Sequence, residues 1–108
     1  MAEATLTVIY PIPTDVDEFE KRYSEEHVPM AAETLKAAAS RVVLSKVVGS
    51  PGGPAPYHRM GQVLFPSMDD LQRFAATEAA QALLGHAAEI SSGGPPVILI
   101  GEADTVTF

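Results

Sequence analysis

Cysteine is absent from the 108 residues, which removes disulfides, thiolate nucleophiles and cysteine-ligated zinc or iron–sulfur centres together. Positive charge is scarce: seven Lys and Arg stand against fourteen Asp and Glu, a formal net charge of −7 at pH 7. Apart from the neighbours Lys21 and Arg22 the basic residues stand singly, with no basic cluster interleaved with aromatics. Nucleic acid is therefore not an expected partner, and the acidic surface also repels anionic lipid. Long apolar runs are missing as well. The longest, Val97–Ile100, is far too short to span a bilayer, so no membrane is expected. Met1–Thr7 has no positive stretch leading into an apolar core, no secretory signal is read there, and the cytoplasm is the expected location. Gly52-Gly53 lacks the Lys-Ser/Thr of a phosphate loop, no GxGxxG occurs, and the usual metal-ligand spacings are absent. No cofactor and no metal are expected.

What is present suits a globular chain: 46% of residues are hydrophobic and 19% charged, enough for one core in a single domain over residues 1–108. Ala4–Tyr10 is rich in β-branched residues and reads as a strand closed by Pro11 and Pro13. Asp15 has the N-cap position of a helix, with Glu18 three residues on, and Val16, Phe19, Tyr23, His27 and Met30 recur at helical intervals. Pro29 is expected to break or kink that helix near Val28, after which Met30–Ala39 is helical again. Arg41–Val48 and Tyr57–Phe65 read as antiparallel strands flanking the loop Gly49–Pro54. Ser67 caps a further helical stretch with Leu71 and Phe74 on one face, Thr77 starts another through His86, and Val97 to about Val106 forms the last strand.

The order strand, helix, strand, strand, helix, strand is the ferredoxin-like split βαβ pattern, an α+β fold with a four-stranded antiparallel sheet and helices on one face. A sheet with water on its other face shows clean alternation of apolar and polar residues. Here Val97 and Leu99 oppose Ile98 and Ile100, and Leu6, Val8 and Tyr10 oppose Ile9, so both faces carry large apolar groups. The expected cover for the second face is another copy of the chain, through the outward members of Leu6, Val8, Ile98 and Ile100.

The most distinctive stretch is Tyr23-Ser24-Glu25-Glu26-His27-Val28-Pro29-Met30. Tyr23 and His27 are four apart, so on a helix both rings lean the same way. A neutral imidazole can take a proton and a phenol can donate to a developing oxyanion, a pairing suited to proton transfer next to a carbonyl. The alternative is that both are core residues whose polar tips find partners. His58, on a strand after a flexible loop, faces either a ligand or solvent. Arg59 shares a strand face with Tyr57, Gly61, Val63 and Phe65, where it either pairs with a carboxylate across a dimer or binds an anionic ligand. His86 reads as a cation near a helix C-terminus.

Taken together, Tyr10-Pro11-Ile12-Pro13, Asp15, Phe19, Tyr23, His27, Pro29 and Met30 resemble the EthD family, named for ethyl tert-butyl ether degradation. Ala55-Pro56-Tyr57-His58, Phe65-Pro66-Ser67-Met68-Asp69 and Glu78-Ala79-Ala80-Gln81-Ala82 are similar to that family as well. Gly85–Ser91 departs from it, standing where members carry Ala-Asp and then Asn-Phe. The resemblance implies a homodimeric α+β barrel and, from the wider superfamily, cofactor-independent isomerase, cyclase or dehydratase chemistry on small cyclic or aromatic compounds, often under the label of a reductase. Haem-degrading relatives use a pocket tryptophan, which this chain lacks. The expected site therefore has His27 and Tyr23 as catalytic groups, with Phe19, Met30, His58 and Arg59 as ligand contacts. The competing expectation is a non-catalytic small-molecule binding or carrier protein using the same cleft.

Overall fold

The computed structural model describes residues 2–108. Its strands are β1 (Glu3–Pro11), β2 (Arg41–Lys46), β3 (Tyr57–Phe65) and β4 (Val97–Ala103). Between them lie α1 (Val16–Arg22), a π-helical turn (Tyr23–His27), α2 (Val28–Leu35), α3 (Met68–Ala75) and α4 (Glu78–Ile90). The strands form one sheet in the order β2-β3-β1-β4 with every neighbouring pair antiparallel, which is the ferredoxin-like topology expected.

The helix starts follow the capping residues. Asp15 accepts from the Glu18 N–H at 3.0 Å, Ser67 from that of Asp70 at 3.2 Å, and Thr77 from that of Ala80 at 3.1 Å. Each such cap is worth about 1 kcal/mol. Strand ends follow pairing rather than composition: β4 stops at Ala103 because its partner β1 starts at Glu3, opposite it, so the apolar Val106 falls outside the ladder. β2 likewise stops at Lys46, not Val48, opposite Arg59. Helix α4 runs past Gly85 and His86 to Ile90 because Leu83, Ala87 and Ile90 keep a buried stripe going. The loop into β4 crosses so close to β1's exit that a Cβ on Gly93 would strike the Ile12 carbonyl. Only glycine fits there.

Side chains on the helix side of the sheet form two packed groups. Ala4, Leu6, Val63 and Phe65 meet Leu35, Leu71, Phe74, Ala80 and Leu83. Tyr10 meets Phe19, Tyr23, Ala87 and Ile90, with Val8 and Val28 against them. Burying an aromatic such as Phe65 completely contributes about 1.5–3 kcal/mol.

Cross-strand register corrects the expected outer face. Directly paired residues of an antiparallel ladder share a face, and Leu6 pairs with Ile100 and Val8 with Ile98. All four lie on the helix side. Ile98 and Ile100 are nevertheless 42% and 59% exposed, because they sit on an edge strand beyond the helices. The uncovered face instead presents Ile9, Met60, Val97, Val43 and Leu99 through the pairs Ile9–Met60, Ile9–Val97, Val43–Gln62 and Thr7–Leu99. Among the described residues no helix is long and apolar enough to cross a membrane.

Candidate functional site

Pro29 shapes the site without ending the helix. Its ring removes an N–H and crowds the carbonyl one turn back, and the chain responds just before it by widening to a π-helical turn, with the Val28 N–H donating to the Tyr23 carbonyl. The backbone stays right-handed helical through Val28, so the expected break is a local widening. Such turns gather at functional positions. In the widened turn the rings of Tyr23 and His27 stack, 5.8 Å between centroids and 21° apart, and Phe19 stacks on the other side of Tyr23 at 5.5 Å.

Tyr23 and His27 therefore share a wall, but the phenol that bonds the imidazole is Tyr10 of β1. Its hydroxyl lies 3.2 Å from His27 Nε2. The other ring nitrogen, Nδ1, lies 2.9 Å from Nδ1 of His86 on α4, and His86 Nε2 lies 3.2 Å from Glu26 Oε1. Burial, then the facing His86, lowers the pKa of His27 to about 4, so its imidazole is neutral at pH 7. Burial likewise raises the pKa of Tyr10 and of Tyr23, keeping both phenols protonated. The Tyr23 hydroxyl has no hydrogen-bond partner among the described residues, and none of the fully buried side-chain polar atoms described lacks one, so the Tyr23 oxygen reaches open space.

Tyr23 also lines a cavity of about 50 Å³ between the two packed groups. Tyr10, Tyr23 and His27 form its polar end, and Val8, Leu35, Val42 and Leu44 are among its aliphatic walls, with Gly61 on the sheet side. Phe19, Met30, His58 and Arg59 do not line it. Phe19 backs Tyr23, and Met30 packs on the first core group. His58 and Arg59 converge on a carboxylate of the same chain, Glu20 of α1: His58 Nε2 at 3.1 Å, Arg59 Nε at 3.1 Å and Arg59 Nη2 at 2.7 Å. Arg59 thus makes an ion pair within the protomer. A register shift where Tyr10 faces Arg59 but Pro11 faces Tyr57 leaves His58 as the extra residue. The bulge turns consecutive side chains toward the helices, against strict alternation.

Tyr10, Glu20, Glu26 and His86 are the site residues that sequence reasoning passed over. The alternation Leu6, Val8, Tyr10 did place the Tyr10 ring with the core, whereas nothing local signals what its hydroxyl meets. His86 lies four residues before the end of α4 rather than at its C-terminus, because the helix runs on to Ile90. Among the described residues no group of three or more His, Asp or Glu is placed to hold a metal ion.

Residues 13–90 match the family model of the EthD domain. The chain belongs to the EthD family. An uncharacterized 11.0 kDa protein from the thcB-thcC intergenic region of Rhodococcus erythropolis is 25% identical over 97 residues, covering 90% of this chain and 92% of that protein. The crystal structure of an EthD family protein from Bacillus halodurans matches with a TM-score of 0.85 at 23% identity, over 96% of this chain and all of the other. A dimeric protein of ferredoxin-like fold from Bacteroides fragilis matches at 0.63 and 15% identity, over 94% and 96% of the two chains. SnoaB of Streptomyces nogalater, described as a cofactor-independent oxygenase, matches at 0.61 and 15% identity, over 100% and 97%. At these identities the structural matches establish the ferredoxin-like fold.

Proposed function

We propose that this EthD protein binds a small, mostly apolar carbonyl or aromatic compound and moves a proton on it without a cofactor. The observation that carries the reading is the Tyr10 hydroxyl bonded to a neutral His27, 3.2 Å away, at the one polar end of an otherwise aliphatic cavity. Removing a proton next to a carbonyl needs a base and a donor for the enolate oxygen. His27 is the base, reached through Tyr10: the phenol oxygen takes the ligand's proton as its own passes to His27 Nε2. Tyr23, protonated and without an internal partner, is the oxyanion donor. The cavity, about 50 Å³, compares with the roughly 10–15 Å³ of such space that one water needs. It holds the reacting end of a ligand, and the remainder lies over Val42 and Leu44, both part-exposed on β2. SnoaB supports the reading by analogy of fold, since that protein is described as working without a cofactor.

The proposal includes a homodimer. The uncovered face carries Val43, Met60, Val97 and Leu99 interspersed with Thr5, Thr7, Ser45 and Gln62, and the fold neighbour from Bacteroides fragilis is described as dimeric. A stable pairing of two such faces buries on the order of 1,500 Å².

Acetophenone in heavy water tests the chemistry. Saturable binding with loss of the methyl proton signal faster than in buffer is expected, suppressed in Tyr10→Phe and His27→Gln. Binding without exchange makes the protein a carrier. No binding across a panel of small ketones and phenols ends both readings.

A further inference from the structure

The hydrogen bonds that begin in the cavity do not end at His27. They continue from His27 Nδ1 to His86 Nδ1 at 2.9 Å and from His86 Nε2 to Glu26 Oε1 at 3.2 Å, where Arg22 holds Glu26. Exposure rises along this path: Tyr10 is buried, the His86 side chain is 15% exposed and that of Glu26 49%. Three elements converge to build it, β1 with Tyr10, the π-helical turn with Glu26 and His27, and α4 with His86.

Two Nδ1 atoms at this distance share a single proton, so with both imidazoles neutral the tautomers follow. If the proton belongs to His27, then His27 Nε2 accepts from Tyr10 O–H, and His86, neutral with its proton on Nε2, donates to the Glu26 carboxylate. Every bond is then satisfied with both imidazoles neutral. If instead the shared proton belongs to a neutral His86, its bare Nε2 faces an ionised carboxylate, acceptor against acceptor. Between these two states with both rings neutral, the first is the resting one of the path. The second, with a proton added to Glu26, is what remains after one proton has moved along the whole chain.

We propose that His86 and Glu26 form the proton path between the buried site and solvent. The inference rests on the proton-transfer reading above. In the outward step the ligand C–H bond breaks and its proton joins Tyr10 oxygen. The Tyr10 proton joins His27 Nε2, the His27 Nδ1 proton joins His86 Nδ1, and the His86 Nε2 proton joins Glu26, which releases it to water. The ligand keeps the electron pair as an enolate under the Tyr23 hydroxyl. Reprotonation runs the same steps backward and restores the resting tautomers. His86 is faced by His27 and Glu26 from the π-helical turn and by Glu89 of its own helix at 4.0 Å, while Arg22 binds both glutamates. Arg22 first, then His86, holds the Glu26 carboxyl below its ordinary range, so the outer end rests ionised and passes a proton on to water rather than keeping it. A purely structural partner for His27 Nδ1 would need only a carbonyl, and a second imidazole whose far nitrogen reaches a surface carboxylate is what a conduit requires.

The test uses two measurements on the full chain. Ring-nitrogen NMR of the free protein is expected to show His27 protonated on Nδ1 and His86 on Nε2. A His27 protonated on Nε2 overturns the path whatever the protein's activity. The second measurement follows acetophenone methyl protons lost to heavy water in His86→Gln, which can hold both hydrogen bonds but cannot pass a proton. Exchange is expected to fall roughly tenfold or more, with binding and melting temperature unchanged, and added imidazole is expected to restore exchange in His86→Ala. Wild-type exchange rates in His86→Gln overturn the path. If the wild-type chain binds acetophenone without exchange, the proton-transfer reading fails and the tautomers alone decide whether the path exists.

Discussion

The Arg59 guanidinium grips the Glu20 carboxylate with two nitrogens, at 3.1 and 2.7 Å, while its carbon lies 4.9 Å from the centre of the Tyr23 ring. One arginine thus ties α1 to the bulged end of β3 and packs against the wall that carries the site. Glu20→Gln keeps the size and loses the charge, at an expected cost of about 1–2 kcal/mol once part exposure is allowed for. Urea denaturation at neutral pH measures it. An unchanged midpoint means the ion pair is not needed for stability.

The same carboxylate sets an acid limit. Hydrogen bonds from Arg59 and then His58 hold its pKa at about 2 against an ordinary 4.5. Folding lowers this pKa, so the stabilisation is complete above about 4.5 and is lost as pH falls toward about 2. Glu20→Gln is expected to flatten the stability profile in that window.

His27 acts in a separate window. Its pKa is about 4 folded against an ordinary 6.5, through burial and then His86. The unfolded chain takes up the proton first, so stability is full above 6.5 and declines as pH falls toward about 4, by at most about 3 kcal/mol. Ligand exchange is expected to fall over the lower end of the same range as the base becomes protonated. A profile flat through this window removes the predicted titration, and one unaltered in His27→Gln assigns it to another group.

Gly61 separates stability from binding. A Cβ there meets Leu44 Cδ2 at 3.6 Å, ordinary contact, and glycine inside a strand costs about 0.5–1 kcal/mol relative to alanine. Gly61→Ala is expected to raise stability slightly while narrowing the cavity and weakening acetophenone binding. Tighter binding in that variant counts against the assignment of the cavity as the ligand site.

On the uncovered face, Leu99→Lys and Val43→Lys are expected to convert a dimer into a monomer in sedimentation at micromolar concentration. A wild-type chain already at the 11.4 kDa monomer mass refutes the pairing.

Local chemistry made most of the fold legible in the sequence. The capping residues Asp15, Ser67 and Thr77 start their helices wherever the rest of the chain lies, because the bonds they make are three residues long. Proline and glycine closed the strands, and the strand and helix order restricted the topology to the observed one. The spacing of Tyr23 and His27 likewise put both rings on one helix face. What the sequence left open depends on partners far away along the chain. Which sheet face is uncovered follows from the register of Leu6 with Ile100, 94 residues on, and a shift of one residue would have reversed it. The bulge that turns His58 and Arg59 onto Glu20 comes from pairing between strands, and no local residue pattern encodes it. The Tyr10 to Glu26 chain joins a strand, a widened turn and a helix that meet only when the two core groups pack, so its hydrogen bonds are decided by tertiary contact alone.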